Sequence, residues 1–159
     1  MRTRKLVVAV LIFFLHSGAQ AQQKERSVLL PSSEANAVAR FYSWTVPGRI
    51  NGSWQPTKMD IESLERNLSQ VSNLRATNWN SEIHINHPEE YFRQYVAVLS
   101  AGKKLIFVNA FCEDIKNSSP SPDWRNHLEI IADGGTCVWH ALYDPFTGKF
   151  SGLEINGRA

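Results

Sequence analysis

Cys112, Cys137 and His140 are the side chains best suited to chemistry in this chain. A thiol and an imidazole form a nucleophile and its base when ring nitrogen and sulfur lie within hydrogen-bond reach. Spacing argues against that here. Residues 136–143 read as a strand, and positions three apart on a strand face opposite ways, so Cys137 and His140 do not meet. The two cysteines suit a disulfide better. Each ends or begins a strand, and closing a loop of 25 residues contributes about 3 kcal/mol by restricting the unfolded chain. A second constellation has His140 with Asp133, Asp144 and His127. It would serve a small hydrolase or lyase if the fold brought His140 within about 3 Å of a carboxylate.

Other reactive groups carry less. His84, His87, Glu89 and Glu90 are zinc-ligand types, but their spacing matches no zinc signature, and Pro88 opposes the helix that would align both rings. They read as solvated side chains, so no metal is expected. Glu89/Glu90 and Glu113/Asp114 read as surface charge. Asp133-Gly134-Gly135 lacks the strand–loop–helix setting of a phosphate loop. With no G-x-S-x-G, H-E-x-x-H or dinucleotide fingerprint, no cofactor is expected. Five tryptophans, Trp44, Trp54, Trp79, Trp124 and Trp139, read mainly as core. The functional alternative is an exposed aromatic patch around Trp124, Trp139 and Tyr143.

These residues need a scaffold, and the pattern predicts one. Residues 22–33 are polar and without periodicity, a flexible lead-in. Residues 34–44 suit a short helix, ended by Val46-Pro47-Gly48, and Asn51-Gly52 reads as a turn. The clearest helix begins at Thr57, where Thr57 and Asp60 have capping-box spacing. Ile61, Leu64, Leu68 and Val71 then recur on one face. Residues 91–99 and 104–112 form a hairpin about a turn at 100–103. Residues 127–132 suggest a further strand, 136–143 another, and 149–156 the last, after a Pro/Gly turn at 144–148. Residues 117–123 read as a surface loop. Helices come first and strands follow, so the expected class is α+β: an amphipathic helix on an antiparallel meander of four to five strands.

The chain opens as an exported protein would. Arg2, Arg4 and Lys5 precede ten apolar residues, 6–15, and then Ser17-Gly18-Ala19-Gln20-Ala21. This is a secretory signal peptide in layout, 1–21, with cleavage near Ala21. Its apolar run is half the roughly 20 residues a bilayer span needs, so the mature protein carries no membrane span. Taking 21 residues from 159 leaves 138, enough for one domain, 22–159. The leader holds three of the 17 Lys and Arg and none of the 15 Asp and Glu, so the remainder carries a net charge of −1. It has no basic excess for nucleic acid. The expected location is extracytoplasmic, periplasmic or secreted. Three N-x-S sites, at Asn51, Asn67 and Asn117, mean little in a bacterial setting.

Three segments resemble a family of small exported bacterial proteins of unknown function. They are Trp54-Gln55-Pro56-Thr57 with residues 60–65, Tyr91-Phe92-Arg93-Gln94-Tyr95 leading to residues 104–111, and Asp133-Gly134-Gly135 through Trp139 and Tyr143-Asp144-Pro145 to Asn156-Gly157. The resemblance spans most of the mature chain and implies no activity. A helix laid on an antiparallel meander is also similar in shape to cystatin-like folds. The sequence thus favours a non-enzymatic binding or inhibitor-like domain for a protein or small ligand. A small hydrolase or lyase built on His140 is the alternative.

Overall fold

Strand β3 (Phe92–Ser100) and strand β4 (Lys103–Phe111) form the expected hairpin in unbroken register, from Phe92 opposite Phe111 to Ser100 opposite Lys103. Its turn residues, Ala101 and Gly102, have φ of 49° and 75°. This left-handed pair matches the twist of antiparallel strands. The computed structural model describes residues 26–77, 83–118 and 123–157. The expected leader, residues 22–25 of the lead-in, Trp79 and the centre of the 117–123 loop lie outside them.

Strand β5 (Val138–Asp144) pairs with β4, and strand β6 (Lys149–Ile155) pairs with β5, both antiparallel. Asp144 Oδ1 accepts the backbone N–H groups of Phe146 and Thr147, at 2.9 and 3.3 Å, and so shapes the turn between them. Strands β3 to β6 are the meander read from the sequence. Two short strands add to it. Strand β1 (Ser27–Leu29) lies parallel to β3, and strand β2 (Ile50–Gly52) pairs antiparallel with the far end of β3. The described residues therefore form a six-stranded mixed sheet, mostly antiparallel, in an α+β fold.

Three expectations are corrected. Residues 27–29, expected to be flexible, are a strand, and Asn51-Gly52, expected to be a turn, ends β2. Three-residue strands are too short to show alternation, and both are recruited by the edge of β3. Residues 127–132 make no strand. Their backbone is bonded by side chains instead, as described below.

Both faces of the sheet are covered. Tyr95, Val108, Ala110, Trp139, Ala141 and Tyr143 point to one side. Helix α2 (Lys58–Asn67) and the 3-10 segment Leu68–Asn73 cover them with Leu64, Leu68 and Val71. The capping box starts α2 as expected: Thr57 Oγ1 accepts from the Asp60 N–H, and Asp60 Oδ2 accepts from the Thr57 N–H at 2.7 Å. Val96, Val98, Leu105, Phe107 and Leu142 point the other way, against Ala35 and Val38 of helix α1 (Ala35–Phe41). Cys112 and Cys137 are joined, with Cα atoms 5.0 Å apart. Their bridge ties the start of helix α3 (Glu113–Ser118) to the start of β5. Gly134 precedes Cys137 with φ of 121°, and a Cβ there would come within 2.7 Å of Val138 Cγ2. Glycine alone suits both demands. No helix among the described residues is long and apolar enough to cross a membrane.

Candidate functional site

A row of polar residues crosses the α1 side of the sheet. Gln94 stands opposite Asn109, Asn109 opposite His140, and His140 opposite Glu154. Apolar side chains lie on both sides of the row, so its polar atoms need partners from above the sheet. The first half of the row has most of them, Asn109 Oδ1 excepted. Gln94 Oε1 accepts from Asn109 Nδ2 at 2.8 Å and from the Glu129 N–H at 2.9 Å. Gln94 Nε2 donates to the carbonyls of Trp124 and His127, and Asn109 Nδ2 donates to the Glu129 carbonyl. Residues 124–129 thus give four backbone groups to these two amide side chains, and the Leu128 N–H donates to Glu34 Oε2 at 2.9 Å. That is why this segment packs over the sheet and does not become a strand.

The second half of the row is different. His140 is only 2% exposed, and its Nε2 has no hydrogen-bond partner among the described residues. Its ring lies between Tyr42, at 4.5 Å between centroids, and Phe107, stacked at 5.6 Å. Burial pushes its pKa down to about 3, so the imidazole is neutral near pH 7. Glu154 accepts a hydrogen bond from Thr45 Oγ1 at 2.8 Å. Together His140 and Glu154 line a cavity of about 370 Å³, with Tyr42, Ile131, Ile155 and Asn156 around them. Phe41, Trp44 and Ile130 complete the wall and remain 37%, 69% and 47% exposed. Burial first, and then the charge of Glu129, push the Tyr42 hydroxyl up to about 12, so it stays protonated.

Local sequence explains the rim. Ala35, Val38 and Tyr42 recur at helical spacing and face the sheet, which leaves Phe41 and Trp44 off the buried stripe. A bulge in the β5–β6 pairing adjoins the His140–Glu154 pair, and Gly152 there takes φ of 62°. The backbone of Thr45 lies beside that glycine, which seats the 42–46 segment over the cavity.

The expected site residues fall elsewhere, His140 excepted. Trp139 and Tyr143 are buried on the α2 side, Trp139 edge-on to Tyr91 and the Tyr143 hydroxyl 2.8 Å from Ser63 Oγ. Trp124 is buried edge-on between Phe92 and Phe111. The aromatic patch expected of these three is therefore corrected: their rings fill the core, and Phe41, Trp44 and Phe146 are exposed instead. The constellation around His140 does not assemble either. His127 is exposed beside Glu34, Asp144 bonds its own turn, and Asp133 bridges to Gly157. Among the described residues His140 makes no ion pair, and burial is the one cause of its shift. Both thiols are consumed in the disulfide. His84 and His87 are exposed, with His87 Nδ1 3.3 Å from Glu89 Oε1. No group of three or more metal-ligating side chains forms among the described residues.

An uncharged imidazole beside a carboxylate held by a threonine can orient and hydrogen-bond a guest. Compared with known proteins, the chain matches no family model, no curated protein and no solved structure.

Proposed function

We propose that this protein is a non-enzymatic binding domain and that its ligand sits in the cavity between Trp44, Tyr42, His140 and Glu154. The observation that carries this reading is the buried His140 Nε2 without a partner in the wall of that cavity. A buried polar atom left unsatisfied costs about 1–3 kcal/mol, and a guest that hydrogen-bonds it removes the cost. The exposed rim supports the same reading: Trp44, Phe41 and Ile130 give a small ligand apolar area to cover at the mouth. The Cys112–Cys137 disulfide supports work in an oxidising compartment, in keeping with the leader-like residues 1–21.

A fragment screen followed by amide and indole NMR tests this. Bound fragments should move the Trp44 indole N–H and the backbone of residues 41–46, 130–132 and 154–157, leaving the Trp139 indole unmoved. Fragments that gather elsewhere, for instance around exposed Phe146 or Met59, with residues 41–46 silent, would rule the cavity out.

A further inference from the structure

We infer that the ligand of this cavity is a small organic cation, an amine or ammonium group on an apolar or aromatic body. The inference rests on the cavity being the binding site and adds the charge of its occupant. Glu154 carries the one formal charge in the wall, and its carboxylate is anchored by the Thr45 hydroxyl. A second carboxylate stands at the same end: a Cβ built on Gly157 would lie 3.9 Å from Asp133 Oδ1. Among the described residues no cation lines the wall to offset them. His140 has only burial around it and stays neutral, so it presents a lone pair or a single N–H and no positive charge. Asn156 Nδ2 turns its hydrogens inward to the Ile131 and Asp133 carbonyls, which removes a donor that an anion would need. Arg40 stacks on Phe41 at 5.0 Å from the ring centroid, so that ring is already engaged. Trp44 remains, 69% exposed, with the edge of the buried Tyr42 beside it. The two ring centroids lie 6.0 Å apart with planes tilted by 53°, so the Trp44 ring stands over the same cavity that Glu154 lines. A cation is attracted to ring faces within about 6 Å, and an N–H donor on it suits a carboxylate.

Three isosteric probes on the unaltered protein test the charge: 2-phenylethylammonium, neutral 2-phenylethanol and anionic 3-phenylpropionate, each titrated against the Trp44 indole N–H signal. The ammonium should bind at least about tenfold more tightly than either other probe, and added salt should weaken it. Glu154→Gln keeps an acceptor for Thr45 and removes the charge, so it should abolish the preference. Equal or tighter binding of the alcohol or the carboxylate at the cavity overturns the inference and leaves the cavity reading standing. So does a preference that survives in a folded E154Q. If neither the probes nor the fragment screen reach the cavity, both readings fall together.

Discussion

Both sides of the sheet bury an apolar cluster but treat their polar groups differently. On the α2 side the buried charges and hydroxyls are engaged, although the Trp139 indole N–H has no partner among the described residues. Arg93, 1% exposed, donates to Tyr95 Oη at 3.0 Å and pairs with Glu65 at 3.3 Å, while Tyr95 donates to Glu65 at 2.7 Å. A buried cation is tolerated only with such partners. On the α1 side the polar row begins with Gln94 and Asn109 bonded to the 124–129 segment and ends at His140 with an unmet nitrogen and an open cavity. Each side leaves a ring nitrogen unmet, Trp139 Nε1 on the α2 side and His140 Nε2 on the α1 side, but of the two residues it is His140 that lines a cavity. That contrast separates stability from binding and can be tested from both sides.

The largest effect should come from the α2 side. Leu64→Ala removes a fully buried side chain beneath α2 and should cost about 3–4 kcal/mol in denaturant unfolding, with ligand affinity at the cavity unchanged in the folded fraction. A loss of affinity equal to that of a rim variant would show that the two sides are not separable. Next comes the staple between them. Replacing Cys112 and Cys137 together by serine reopens a loop of 25 residues and should cost about 3 kcal/mol, read as a lower melting temperature with the native circular-dichroism spectrum retained at 10 °C. Wild-type stability in the variant would mean that other contacts already hold the start of β5.

A smaller effect follows from His140. The folded protein holds this group unprotonated down to about 3, whereas the unfolded chain takes up a proton near 6.5. The depressed folded pKa makes stability fall as pH falls from 6.5 toward 3, by roughly 2 kcal/mol at about pH 5. His140→Gln should remove that part of the pH dependence, measured as the difference between the two stability curves. Parallel curves would place a compensating charge beside the ring. The smallest stability effect belongs to the rim. Trp44→Ala should change unfolding free energy by less than about 0.5 kcal/mol, since the ring is mostly solvated, yet should weaken ligand binding about tenfold or more. A rim variant that unfolds the protein would turn the mouth of the cavity into part of the core.

How much of this was legible in the sequence follows the range of the signals. The Thr57–Asp60 capping box, the Ile61/Leu64/Leu68/Val71 stripe, the 92–111 hairpin and the Cys112–Cys137 pair are local or strongly typed, and each stands where its pattern placed it. Strands β1 and β2 carry too few residues to announce themselves. The 127–132 segment misled because its fate depends on Gln94 and Asn109, more than 15 residues away in sequence. His140 was singled out for its chemistry, but its partner across the sheet, Glu154, emerges only from strand register. Trp139 and Tyr143 were misread for a related reason: strand alternation puts them on the same side as each other, and only packing shows that α2 covers that side. Trp44 had a local signal, its position off the Ala35/Val38/Tyr42 stripe, which becomes readable once α1 is known to end at Phe41.

The most direct test is a ¹⁵N NMR titration of the His140 imidazole, with and without a fragment bound. A neutral ring with no titration from about pH 8 to pH 5, whose nitrogen resonances move when the fragment binds, is the result the structure predicts. A ring that titrates near its ordinary value of 6.5, or one left unchanged while the fragment binds elsewhere, would contradict the assignment of this cavity as the binding site.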